Sequence, residues 1–258
     1  MKLYIESLKM HFKSTIEYKT SFILGFLSQF LVFFTYYFII LALFSKFSNI
    51  KGFTVYEVLL TFSIINFGYS TNEFLARGID TFDNLIIDGS FDRILLRPRN
   101  ILLSVLCSNI NFVKISRILQ SIIVFIIAIS NLDIDWNITR IICLVLMFIS
   151  SIIVFFSIFL LMASYCFLTV QALEVRNIFT DGGKNIAKYP MGIYNKGVLL
   201  FFTYIIPFAL VNYYPLLYLL GKSNNIFYAY SPLIVLLYLI PAFLSFKWGI
   251  KKYTSTGS

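Results

Sequence analysis

Gly182-Gly183-Lys184 is the place where residue type and spacing come nearest to a phosphate cradle. A phosphate-binding loop of the form GxxxxGK[ST] wraps phosphates in backbone N–H groups and needs a Ser or Thr after the Lys to hold magnesium. Here Ile178 stands where the first Gly belongs, and Asn185 follows the Lys. The single histidine, His11, offers no partner for a Ser or Cys nucleophile. Cys107, Cys143 and Cys166 lie in apolar or near-apolar stretches and form no C-x-x-C, which reads as buried thiols and not as metal ligands. No carboxylate pair marks an acid–base site. The chain is therefore expected to do no catalysis of its own, to hold no metal and to carry no cofactor.

Recognition is a different chemistry, and loop 77–100 is built for it. Ile79, Phe82, Leu85 and Ile86 fall on one arc of a helix, with Asp80, Asp83 and Asp88 away from it. Gly89 permits a turn. Phe91-Asp92-Arg93-Ile94-Leu95-Leu96-Arg97-Pro98-Arg99 follows. Pro98 discourages helix at Arg97 and can start the next one. The product is an amphipathic element with acidic and basic ends, suited to being gripped by another protein.

The elements that must hold this loop are set by composition. Of 258 residues, 59% are hydrophobic and only 13% charged, with a mean hydropathy of +0.84. A water-soluble domain of this size cannot bury so much apolar surface, and disorder is excluded on the same grounds. Bilayer is the expected solvent. Hydrocarbon about 30 Å thick takes roughly 20 helical residues to cross, and six segments fit or nearly fit. They are 21–44, 54–76, the later part of 101–130, 141–170, 198–220 and 231–248. These runs lack the alternation of membrane barrel strands. The first is too long and too late for a secretory signal, so no cleavage is expected.

Net charge is +9, which in a soluble protein would suggest nucleic acid. In a membrane protein its placement is what matters, because Lys and Arg concentrate on the cytoplasmic side. With the N-terminus inside, seventeen of the 21 basic residues fall in cytoplasmic segments. Only Lys46, Lys51 and Lys222 lie clearly outside, with Arg140 at a boundary. Both termini are expected in the cytoplasm and no nucleic-acid partner is expected. Residues 1–20 read as an interfacial helix, with a charged stripe of Lys2, Glu6, Lys9, Lys13 and Glu17 and an apolar one of Ile5, Leu8, Phe12 and Ile16.

The run Gly89-Ser-Phe-Asp-Arg-Ile-Leu-Leu-Arg-Pro98 resembles the G-x-F/L-D-x-x-L-x-R-P signature of ABC-2-type transporter permeases, in particular their small six-span group of bacterial drug and peptide exporters. Lys188-Tyr-Pro-Met-Gly-Ile-Tyr194 and Ile205-Ile-Pro-Phe-Ala-Leu-Val-Asn-Tyr-Tyr-Pro215 resemble the same group's Y-P-x-x-I-Y…I-I-P-F-A…Y-x-P pattern, which marks Tyr189, Pro190, Tyr194, Pro207 and Pro215. Glu17-Tyr-Lys before the first span also fits. The resemblance covers nearly the whole chain, read as one transmembrane domain over 1–258. It implies an all-α membrane protein of the bacterial cell membrane with six transmembrane helices, an N-terminal interfacial helix and a cytoplasmic coupling helix.

It also implies a dimer of permeases over a dimer of separate ABC ATPase subunits, which bind the ATP and magnesium. The loop over 77–100 would then seat in the ATPase through Phe82, Leu85, Phe91, Asp92, Arg93, Arg97, Pro98 and Arg99. The family's mode of action is alternating access, moving an amphipathic drug, antimicrobial peptide or lipid.

Two readings compete for the stretch up to residue 220. Hydropathy keeps 174–196 in the cytoplasm and makes 198–220 the fifth span. The family arrangement, which is preferred, makes the stretch before Tyr189 the fifth span and 195–220 an outer re-entrant hairpin bent near Pro207. Polar residues within spans, Asn66, Asn72, Glu73 and Asn109, with Lys114 and Arg117 near the inner end, are pathway candidates, and the family arrangement adds Lys184 and Lys188. Interhelical hydrogen bonding and headgroup contact are the ordinary alternatives for such residues. Tyr213, Tyr214, Tyr218, Tyr228 and Tyr230 gather toward the outer ends as an aromatic belt. The competing function is a membrane sensor or immunity protein that binds an antimicrobial compound without moving it; a channel-like or scaffold protein is a third.

Overall fold

The computed structural model describes residues 2–169 and 173–254. Among them the secondary structure is helical, without a β-strand. α1 (Lys2–Glu17) leads into α2 (Lys19–Phe44) and α3 (Val55–Leu75). Three short helices follow, α4 (Arg77–Asp80), α5 (Phe82–Ile87) and α6 (Ser90–Leu95), then α7 (Ile101–Leu106). α8 (Ile115–Ser130) is preceded by a tight turn over Phe112–Lys114, and α9 (Ile138–Tyr165) has 28 residues. α10 (Leu173–Asn177) and α11 (Gly183–Ala187) are joined through a π-helical turn, Ile178–Gly182, into one rod. α12 (Lys196–Tyr204), α13 (Phe208–Asn212) and α14 (Tyr214–Leu219) come next. α15 (Ile226–Tyr230), a 3-10 stretch over Ser231–Tyr238 and α16 (Leu239–Lys252) complete the chain.

Four runs among the described residues are long and apolar enough to cross a membrane: Lys19–Phe44, Phe112–Ser130, Ile138–Tyr165 and Ile226–Lys252. A fifth is reached if α12 and the α13–α14 run, bent by 90° between Tyr204 and Phe208, count together. Pro207 stands in that bend, where it can donate no helical hydrogen bond. The last run is longer than the 231–248 expected. α3 has 21 residues, enough to span, but its Glu57, Asn66, Asn72 and Glu73 lower its hydropathy, and it is the most enclosed of the long helices among the described residues.

α3 packs against α2, α8, α9 and α11, and α9 carries α16 on its other side. The α3–α9 crossing is close because Gly68 has no side chain: a Cβ there would lie 2.4–2.6 Å from the Oγ and backbone carbonyl of Ser151. One turn on, Asn72 Nδ2 donates to the carbonyls of Gly68 (2.9 Å) and Ile152 (2.8 Å), tying the two helices together. Gly68→Ala is expected to force the helices apart and cost about 1–3 kcal/mol, the usual scale of overpacking. A lowered thermal unfolding midpoint in detergent is the readout, and an unchanged midpoint would contradict this crossing.

α1 shows three faces where the residue pattern suggests two. The charged stripe and the apolar residues Ile5, Phe12 and Ile16 are all exposed. A third, polar face meets the protein: Tyr4 Oη donates to the Leu75 carbonyl (2.6 Å) and Ser7 Oγ to the Cys107 carbonyl (2.9 Å), with His11 Nε2 at 3.3 Å from the same oxygen. Burial pushes the Tyr4 phenol up to about 12, so it remains a donor at any ordinary pH.

Candidate functional site

Loop 77–100 folds as three short helices pinned to the body by aromatic rings. Gly89, at φ 63°, takes the left-handed turn between α5 and α6 that a side chain would resist. Phe82 and Phe91 are fully buried, 5.0 Å apart between ring centroids. They reach Phe167 at 5.1 and 5.5 Å; Phe246 lies 5.8 Å from Phe82, and Tyr253 lies 5.0 Å from Phe91. Both rings are therefore anchors, not contact surface, and Leu85 is half-buried beside them. Gly78 is a second fixed point. Its N–H donates to the Asn109 carbonyl (3.1 Å), and a Cβ there would fall 2.0 Å from the Val105 carbonyl oxygen. Asn109, a pathway candidate from its position, thus fastens the loop, and its Nδ2 also lies 3.4 Å from Thr81 Oγ1.

The placement of Asp80 and Asp83 on an outward arc is corrected by the structure. Both are buried and answered by arginine. Arg77 Nη1 meets Asp80 Oδ2 at 2.5 Å. Arg176, from α10, meets Asp83 Oδ1 at 2.7 Å and donates to the Asp80 carbonyl oxygen at 2.6 Å. Burial pushes the Asp80 carboxyl above the usual carboxylate range, with the Arg77 and Arg176 charges acting against it. Helical periodicity cannot foresee this, because Arg176 arrives from almost a hundred residues away.

The outward surface of the loop consists of Asn84, Ile87, Asp88, Arg93, Leu96, Arg97, Pro98 and Arg99, with Asp92 half-buried at its side. Leu96 is 85% exposed and Ile87 52%. Neither stands out by residue type. The usable sign was that both lie off the arc of Phe82, Ile86 and Phe91 while remaining apolar.

A polar seam runs from this loop along α3. The Glu73 carboxylate is shared by Lys114 (2.8 Å), Arg77 (3.3 Å) and Arg117. Farther along the α3 and α8 interiors, Asn66 Nδ2 donates to the Phe62 carbonyl (2.9 Å). Asn66 Oδ1, Ser70 Oγ and both amide atoms of Gln120 are buried without a hydrogen-bond partner among the described residues. Gln120 joins the pathway candidates only in the structure. The seam makes α3 the polar spine of an otherwise apolar bundle.

The α10–α11 rod runs back along α3 in the opposite direction. Its Arg176 meets Asp80 and Asp83, and its Asp181 accepts from Tyr69 Oη at 3.0 Å. Lys184 meets Asp181 at 2.6 Å and lies 3.8 Å from the centroid of the Tyr69 ring. Lys188, beyond its end, lies 3.6 Å from the Tyr36 ring and 5.6 Å from that of Phe62. Phe62 is roughly 20 Å from the Leu75 end of α3 at 1.5 Å per residue. Lys184 and Lys188 are buried, so this polar stretch is not one surface loop.

Tyr189, Pro190 and Tyr194 lie in the turn that follows the rod, and Asn212 ties the rod to the bent segment. Tyr194 Oη donates to the Ile186 carbonyl (3.0 Å), and Asn212 Nδ2 to that of Ala187 (2.5 Å). Tyr189 packs in the cluster around Leu59, and buried Pro190 begins the turn over Met191–Ile193. Pro215, in the first turn of α14, has its carbonyl 3.6 Å from Cys143 Sγ. Between the bend and the last run lies a hollow of about 600 Å³ lined by Tyr204, Pro207, Tyr214, Phe227, Tyr228 and Tyr238, among others. No group of three or more His, Cys, Asp or Glu suited to a metal occurs among the described residues.

A family model described as ABC-2 family transporter protein matches residues 30–257. No curated protein and no solved structure matches the chain.

Proposed function

The chain belongs to the ABC-2 family of transporter proteins, and from that premise we propose that it is the permease subunit of an ATP-driven exporter. Two such subunits, alike or different, sit over two ABC ATPase subunits in a bacterial cell membrane. ATP and magnesium bind on the ATPases, and the permease supplies the route by alternating access. The cargo is an amphipathic drug, antimicrobial peptide or lipid, for which the aromatic hollow beside Pro207 offers a wall of rings and hydroxyls of the kind ligand pockets use.

The observation that carries this reading is the construction of loop 77–100. Its inner side is pinned by Phe82, Phe91 and two arginine–carboxylate pairs, while Ile87, Arg93, Leu96, Arg97 and Pro98 are left outward. A loop that is rigid within and apolar at its tip can transmit a push without absorbing it. Arg176 extends the same contact to the α10–α11 rod, so displacement of the loop moves Lys184 and Lys188 along α3. The rod is the fifth span in this reading, and α12 to α14 form the outer re-entrant hairpin. Lys184, Lys188 and Lys196 then leave the cytoplasmic set of basic residues, and the remaining ones still favour both termini inside.

The test is co-purification from native membranes. Tagged wild-type chain is expected to bring down an ATP-hydrolysing partner, and Ile87→Asp with Leu96→Asp to lose it while the permease stays folded and inserted. Retention of the partner by that double variant would refute the coupling surface. A sensor or immunity protein would instead bind its compound with no nucleotide-dependent efflux from vesicles.

A further inference from the structure

α1, α7 and the end of loop 77–100 line a hollow of about 400 Å³, which borders the outward surface of the loop at Arg97. Its walls divide by chemistry. Leu3, Met10 and Ile94 make an apolar side, while Arg97 and Arg99 make a basic one, with Ser104 between them. A neighbouring hollow shares Leu3, Glu6 and Arg99 and adds Lys2. Glu6 is the opposing charge, so the two hollows hold three basic groups against one acidic. The floor is closed by the Ser7 Oγ bond to the Cys107 carbonyl.

We propose that this hollow is a binding site for an anionic phospholipid of the inner leaflet, whose phosphate rests on Arg97 and Arg99 and whose glycerol and upper acyl carbons lie against Leu3, Met10 and Ile94. Depth is set by α1. Its exposed Ile5, Phe12 and Ile16 suit the headgroup boundary, and its Lys2, Lys9 and Lys13 suit an anionic surface. A phosphodiester fits two guanidinium forks better than it fits a carboxylate-lined or apolar hollow. The half-apolar, half-basic lining matches a lipid better than a free phosphate, which would leave three apolar walls unused. The bound lipid joins the interfacial helix to the end of the coupling loop, so the loop's position responds to the charge of the membrane.

Native mass spectrometry of the full chain tests this, with the protein released from nanodiscs of equal phosphatidylglycerol and phosphatidylcholine. Wild type is expected to retain phosphatidylglycerol in preference, and Arg97→Gln with Arg99→Gln to cut that retention about thirtyfold, the scale for removing two basic groups from contact with an anionic lipid. Ser104→Glu, which places a carboxylate in the hollow and leaves both arginines, is expected to do the same. Lys9→Gln with Lys13→Gln, on the same helix outside the hollow, is expected to keep it. Equal retention of both lipids by wild type overturns the proposal, as does loss in the Lys9/Lys13 variant equal to that in the hollow variants. Millimolar inorganic phosphate should not displace the lipid; displacement would make the site one for free phosphate. None of these readouts needs an ATPase, so the lipid site and the transport reading can fail separately.

Discussion

Replacing Glu73 with Gln is expected to destabilise the protein more than any other single change on α3, by about 3–5 kcal/mol, the scale of breaking a buried ion pair from one side. A single carboxylate, 4% exposed, stands against Lys114 and Arg117, at 11% and 13%, and against Arg77, at 25%. Glutamine keeps the shape and one acceptor oxygen but removes the charge that makes three cations tolerable there. The thermal unfolding midpoint in detergent or nanodiscs should fall by many degrees. Glu73→Asp should fall between, because the shorter side chain keeps the charge and loses reach. Arg117→Gln combined with Glu73→Gln should cost less than the sum of the two, since the two side chains contact each other. A wild-type midpoint for Glu73→Gln would mean that the cations find other acceptors and that Glu73 is not their common partner.

Arg176→Ala is the second. It withdraws the cation from Asp83, itself 6% exposed, and the donor from the Asp80 carbonyl, again on the scale of about 3–5 kcal/mol but confined to the junction of loop and rod. The loop should open before the bundle does. Protease nicking within 77–100 is expected to rise sharply while the global midpoint moves less, and substrate-stimulated ATP hydrolysis should fall to the basal rate in the assembled complex. Arg176→Lys should restore only part of the protease resistance, because one ammonium cannot serve the carboxylate and the carbonyl as a guanidinium fork does. Unchanged nicking in Arg176→Ala would remove the mechanical link between loop 77–100 and the rod that carries Lys184 and Lys188.

Local patterns in the chain were readable where local physics decides the outcome. Apart from 198–220, which breaks into three short helices, the long apolar runs became long helices, Gly89 took its left-handed turn, and Ile79, Phe82 and Ile86 of the predicted arc are buried as their spacing requires. Pro207 marks the bend. What could not be read is partnership across distance. Asp80 and Asp83 look like a solvated face until Arg176 is brought to them. Nothing local in the sequence announces that Lys114 and Arg117 meet Glu73, or that Asn72 reaches the Ile152 carbonyl. Lys184 and Lys188 look like solvated charges by hydropathy, because no window average can know that Tyr69, Tyr36 and Asp181 await them and that both are buried. The two apolar residues at the loop tip, Ile87 and Leu96, were hidden for the opposite reason. In an apolar chain one more Leu off the buried arc is a weak sign, and it gains weight only when its neighbours are seen to be buried.

The enclosure of α3 bears on how the protein is made. A segment that leaves the ribosome with two glutamates and two asparagines gains little from partitioning into lipid alone. Glu73 finds its complements in Arg77, Lys114 and Arg117, Asn72 on α9, Tyr69 in Asp181 of the rod and Glu57 in Lys222, all synthesised after α3. α3 must therefore be held at the insertion machinery, or remain at the surface, until those later helices arrive to shield it. Assembly of this bundle is a joint event in which the central helix is among the last to settle, and the strongly apolar α9 is the element that can lead it into the bilayer.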